Sequence, residues 1–130
     1  MNISRQHFQH LMDTVVAEQF PDSKAVYDFE KEDLIDGLYH PKEELRSRDL
    51  GVNKMADFGD IAEYVKVIST TFHTFLKIIS WFKEQRKSKE ELKKEAMQYW
   101  KESMVKEGIN ADKAELICLK YQEKFFQLVD

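Results

Sequence analysis

In FGDIAEYVKVISTTFHTFLKIISWF, residues 58–82, apolar side chains stand at Phe58, Ile61, Val65, Ile68, Phe72, Phe75, Ile79 and Phe82. The steps between them alternate between three and four residues without a break, which is the heptad rhythm of an amphipathic helix. A second line of apolar or small residues, Tyr64, Thr71 and Ile78, runs beside this seam, with Val67, Thr74 and Trp81 beyond it. Polar side chains collect at Glu63, Thr70, Lys77 and Glu84 and at Lys66, His73 and Ser80. A two-stranded coiled coil needs only a narrow stripe, so this broad face predicts a helix that touches several neighbours at once. The expected span runs from about Asp57 or Asp60 to Lys87, and its expected setting is the core of its own chain rather than an oligomer seam or a membrane surface. Glu63, Lys66, His73 and Lys77 interrupt the apolar run, so no membrane span is expected.

Helical signals continue on both sides. Ser4 is placed to cap a helix ending near Gln19, with Phe8, Leu11, Met12, Val15 and Val16 on one face and Pro21 as the stop. Residues 23–38 read as a second helix capped by Asp22 or Ser23, with Val26, Phe29, Leu34 and Leu38 facing inward. The alternation in AVYDF also suits a short strand, but a lone strand leaves its backbone groups unpaired. A short helix is expected over 41–57. SKEE at 88–91 has the form of a capping box and opens a helix through Leu92, Ala96, Met97, Tyr99, Trp100, Met104 and Val105. Gly108 is placed to end it with Ile109 packed behind, and Asn110 caps a last helix carrying Ala114, Ile117, Cys118, Tyr121, Phe125 and Leu128. Two helices joined so closely should form an antiparallel hairpin.

The totals agree with this pattern. The chain has 130 residues, 42% hydrophobic and 34% charged, with 4 Gly and 2 Pro, a balance that suits helices better than many tight turns. The expected fold is therefore all-α, a compact bundle of about five or six helices around one long central helix, forming a single domain over 1–130. A single cysteine cannot form an internal disulfide. The first helix, moreover, lacks the basic start and continuous apolar run of a secretory signal, so a cytoplasmic setting is expected.

Charge is unevenly spread. Residues 1–64 carry 7 basic and 14 acidic side chains, and residues 65–130 carry 13 and 10. The densest basic run, residues 83–94, is broken by Glu84, Glu90 and Glu91, and a nucleic-acid partner is not expected. Its weaker variant would have this run hold a single strand, with Tyr99 and Trp100 stacking on bases.

Catalytic patterns are scarce. No phosphate loop, GxSxG elbow, HExxH helix or calcium loop occurs, and no cofactor or metal is expected. His7 and His10 have the spacing of two metal ligands on one helical face, with Asp13 or Thr14 one turn on, but the sequence names no further ligands. Cys118 stands among Leu116, Ile117 and Leu119, the setting of a small buried hydrophobe rather than a nucleophile.

These features predict a small protein that acts by protein–protein interaction, as an adaptor, an inhibitor or an immunity-type protein. The candidate interface residues are Asp28, Glu30, Glu32, Asp33 and Asp36 with Trp81, Tyr99 and Trp100. Pairing of the acids at 28–36 with the basic run, within the fold or between copies, is a further expectation, and the latter would give a homo-oligomer. The alternative is an enzyme or small-ligand carrier with a pocket lined by Tyr64, Trp81, Tyr99 and Trp100.

Overall fold

The computed structural model describes residues 4–40, 62–84 and 88–129. Five α-helices account for most of them: α1 (Arg5–Gln19), α2 (Lys24–Tyr39), α3 (Glu63–Glu84), α4 (Lys89–Lys106) and α5 (Ala111–Val129), with a 3₁₀ turn over Pro21–Ser23. No strand occurs among the described residues, and AVYDF lies within α2. The helix expected over 41–57, the seam positions Phe58 and Ile61, and the end of the long helix near Lys87 fall outside the described residues.

Helix boundaries follow local chemistry. The Ser4 hydroxyl accepts from the His7 backbone N–H at 3.4 Å, and the Ser88 hydroxyl accepts from that of Glu91 at 3.2 Å. Asn110 Oδ1 accepts from the N–H groups of Asp112 and Lys113 at the start of α5. At α2 the expected side-chain cap is not made; the chain enters through the 3₁₀ turn that Pro21 opens. Helix α3 is described from Glu63, and the starts expected near Asp57 or Asp60 lie outside the described residues. The Ala62 carbonyl accepts from Lys66, and the carboxylate of Glu63 in the first turn complements the free N–H groups there. Gly108, at φ 100°, ends α4 in a conformation that costs a residue with a Cβ. The Ile109 N–H then closes onto the Met104 carbonyl at 3.0 Å, and the Ile109 side chain is buried behind the turn.

Each helix packs against the next, α2 against α3, α3 against α4 and α4 against α5, while α5 returns against α1 and α1 against α2. Side-chain pairs give the directions. Lys101–Glu115, Met97–Cys118 and Lys93–Phe126 contacts set α4 antiparallel to α5, as expected of the hairpin. Asp13 meets Tyr27 while Arg5 meets Asp36, so α1 and α2 are antiparallel. Tyr27 meets Tyr64 while Tyr39 meets Phe72, so α2 and α3 run parallel.

Helix α3 is the longest described, 22 residues or roughly 33 Å at ~1.5 Å per residue. It lies at the centre, because its side chains reach all four other helices. Phe72 and Phe75 contact Phe8 of α1, Tyr64 contacts Tyr27 of α2, Thr71 accepts from Trp100 of α4, and Phe75 stacks on Phe125 of α5. The seam residues Ile68, Phe72, Phe75 and Ile79 are buried, and so is the second line, Tyr64, Thr71 and Ile78. Thr70, expected among the polar positions, is buried as well. A threonine can enter such a core by turning its hydroxyl onto its own helix: Thr70 donates to the Lys66 carbonyl, Thr71 to Val67 and Thr74 to Thr70, at 2.6–2.8 Å. No buried side-chain nitrogen or oxygen among the described residues lacks a hydrogen-bond partner.

In α2 the inward face differs from the expected one. Tyr27 and Ile35 are buried, Leu34 and Leu38 are partly so, and Val26 and Phe29 point to solvent. Burial of Tyr27 becomes possible because its hydroxyl donates to Asp13 Oδ1 at 2.6 Å, a partner from another helix. Two residues along an α-helix turn the side chain by about 200°, so burying Tyr27 sends Phe29 outward.

Candidate functional site

Two surfaces stand out. The first is the outer face of α2, where Phe29 is 89% exposed and Val26 is 51% exposed, one turn apart. Glu32 and Asp33 follow Phe29 by three and four positions and are exposed on the same side. Their carboxylates make no ion pair or hydrogen bond among the described residues. The result is an apolar knob with an acidic margin.

The remaining acids of this run are committed elsewhere. Lys24 reaches Asp28 Oδ1 at 2.5 Å and Lys31 lies 3.7 Å away, and the hydrogen bond from Lys24 holds the Asp28 carboxyl below the usual carboxylate range. Glu30 accepts from the Tyr64 hydroxyl at 3.1 Å, and Asp36 pairs with Arg5. Asp28 and Asp36 therefore pair with cations of α1 and α2, not with the basic run at 83–94 as expected of internal pairing.

The aromatic candidates do not converge. Trp100 is fully buried, stacked on Phe125 at 4.6 Å with its indole N–H donating to Thr71 Oγ1 at 2.9 Å. It belongs to the core, so it is neither an interface residue nor a stacking platform for bases. Trp81 and Tyr99 are both half-buried and meet edge to face at 6.1 Å between α3 and α4. Tyr64 is buried on the opposite flank of α3 against Tyr27. These four side chains line none of the described grooves.

The second surface lies between α4 and α5. A groove of about 780 Å³ is lined by Lys93, Lys94, Met97, Leu119, Glu123 and Phe126, among others. It adjoins one of about 320 Å³ that shares Met97 and Leu119 and includes Lys101, Glu102 and Glu115. Leu119 is 62% exposed, Leu116 is also exposed, and the Lys93 ammonium sits 5.3 Å from the centre of the Phe126 ring. Sequence reasoning missed this groove. Its signal was Leu119, a large apolar residue off the buried line of Ala114, Ile117, Cys118, Tyr121 and Phe125.

The reactive candidates are tied down. Cys118 is buried, its thiol approaches the Met97 carbonyl at 3.8 Å, and burial pushes its pKa up to about 12. His7 and His10 line a shallow groove between α1 and α5 with Thr14 and Lys124. Asp13 turns away to Tyr27 and Lys31, and the Thr14 hydroxyl donates to the His10 carbonyl. Among the described residues no three His, Cys, Asp or Glu side chains gather as metal ligands would. No described helix is long and apolar enough to cross a membrane.

Three buried tyrosines share one device, each sending its hydroxyl to a carboxylate at the edge of the core: Tyr27 to Asp13, Tyr64 to Glu30 and Tyr121 to Glu18. Burial, then the adjacent carboxylate, pushes the Tyr64 and Tyr121 phenols up to about 12 and raises Tyr27 as well. In the other direction, the bond from Tyr121 is the main influence holding Glu18 below its usual range. An unfolded chain releases phenol protons near pH 10, whereas the folded chain keeps these. Their contribution to stability is thus complete below pH 10 and is lost as pH rises from 10 towards 12. Denaturant midpoints followed through this window should fall steeply, with tyrosinate absorbance appearing together with unfolding. Full phenol titration near pH 10 with the helices intact would contradict the three pairs.

Set against protein-family models, curated proteins and solved structures, the chain matches none. Its fold places it in the broad class of all-α helical bundles.

Proposed function

We propose that the protein is an interaction module, an adaptor or inhibitor that offers the outer face of α2 to another protein. The observation that carries this reading is Phe29, a large aromatic side chain turned to water on a well-formed helix whose other side is packed. Aromatic side chains are enriched at the centres of protein interfaces, and a polar margin around them is the usual arrangement. Glu32 and Asp33 provide that margin, so the matching surface is an apolar recess with basic side chains at its edge. An immunity-type inhibitor is the form of this reading in which the basic partner is a toxic enzyme.

Affinity capture with two immobilised forms tests it, the unchanged chain and Phe29→Ala combined with Asp33→Lys. Both positions are exposed, so both forms should give the same helical circular dichroism. A partner held by the first form and lost from the second is the expected result. Identical captured proteins from the two forms would remove α2 as the docking element.

A further inference from the structure

We infer that the α2 knob of one copy docks into the Lys93–Lys94 groove of a second copy, so that the chain self-associates; this rests on the reading of α2 as a docking element. The chain's own groove meets the description of the matching surface. Met97, Leu119 and Phe126 give its lining an apolar part beside Gln122 and Gln127, and Lys93 and Lys94 supply positive charge. The groove is open to solvent, and its volume of about 780 Å³ leaves room for an aromatic side chain. The opposite charges are in matching places, Glu32 and Asp33 beside Phe29 on one surface and two lysines in the lining of the other. Glu123 is the one acid lining this groove, and in the adjoining groove Glu115 lies 3.9 Å from Lys101.

The packing order decides the geometry of association. With α1 to α5 arranged so that α5 returns against α1, α2 lies across the bundle from the α4–α5 hairpin. One molecule therefore cannot place its own Phe29 in its own groove. The two contact surfaces differ, so a contact that leaves one knob and one groove unfilled repeats from copy to copy, whereas two copies that each fill the other's groove close as a two-fold dimer.

Sedimentation of the full chain over a range of concentration and salt tests the inference. The expected mass rises with concentration to that of a dimer or beyond, and added salt lowers it as the charge pairs are screened. Two variants then isolate the surfaces: Phe29→Ser with Asp33→Ala removes the knob, and Lys93→Ala with Lys94→Ala and Leu119→Ser alters the groove lining. Each alone should associate about tenfold or more weakly. Mixed together, they retain one intact knob and one intact groove and should form a 1:1 pair that grows no further. A chain that stays monomeric at every concentration would overturn self-association, as would oligomers that persist in both variants or a mixture that forms no pair. A monomer that still captures a different protein through Phe29 leaves the α2 reading standing while this one falls. Loss of both leaves neither.

Discussion

Replacing Trp100 by alanine should lower stability by about 3–5 kcal/mol, the usual cost of truncating a large buried aromatic side chain. Small domains carry only about 5–15 kcal/mol in total, so this one change should consume much of the margin. The indole is fully enclosed, it stacks on Phe125 at 4.6 Å, and its N–H is taken up by Thr71. Removing it opens a cavity between α3, α4 and α5. The Thr71 hydroxyl loses a donor but still donates to the Val67 carbonyl at 2.6 Å, so the cavity dominates over the lost hydrogen bond. Urea unfolding should show a lower midpoint at an unchanged slope. A loss under about 1 kcal/mol would mean that Trp100 is not enclosed as described.

The second large effect concerns two neighbours on α3. Phe75 lies flat against Phe125, with ring centres 4.0 Å apart, and edge-on to Phe8 at 5.9 Å, whereas Leu76 is 48% exposed. Phe75→Ala should cost about 3–5 kcal/mol and Leu76→Ala no more than about 0.5 kcal/mol. Combining Phe75→Ala with Phe125→Ala should reveal coupling of about 0.5–1.5 kcal/mol beyond additivity, since the two rings touch. Equal costs at 75 and 76 would show that the helix is rotated from the orientation described.

How much of this could be read from the residues depends on how local each cause is. Ser4, Ser88, Gly108 and Asn110 act on backbone groups within a few positions, and all four do in the structure what their chemistry predicts. The α3 seam was legible because period alone marks it. The face of α2 was not, since choosing between Val26 with Phe29 and Tyr27 with Ile35 depends on Asp13, which lies on another helix. Trp100 was misplaced for a related reason, because nothing near it in sequence reveals that Thr71 will accept its N–H. Of the candidate interface acids, Glu32 and Asp33 remain on an open face, while Asp28, Glu30 and Asp36 are engaged by Lys24, Tyr64 and Arg5. The contacts of Glu30 and Asp36 are tertiary, and sequence spacing carries no record of them, whereas the Lys24–Asp28 pair is an i,i+4 contact within α2 that spacing does show.

The return of α5 against α1 bears on how the chain matures during synthesis. Phe125 closes the aromatic cluster on Phe75 and Trp100, and Tyr121 reaches back to Glu18, so α1 to α4 alone have an open greasy side. Domains form as units while translation proceeds, and this one cannot be sealed until its last helix has left the ribosome. A nascent polypeptide that has not yet reached residue 125 lacks the ring that stacks on both Phe75 and Trp100.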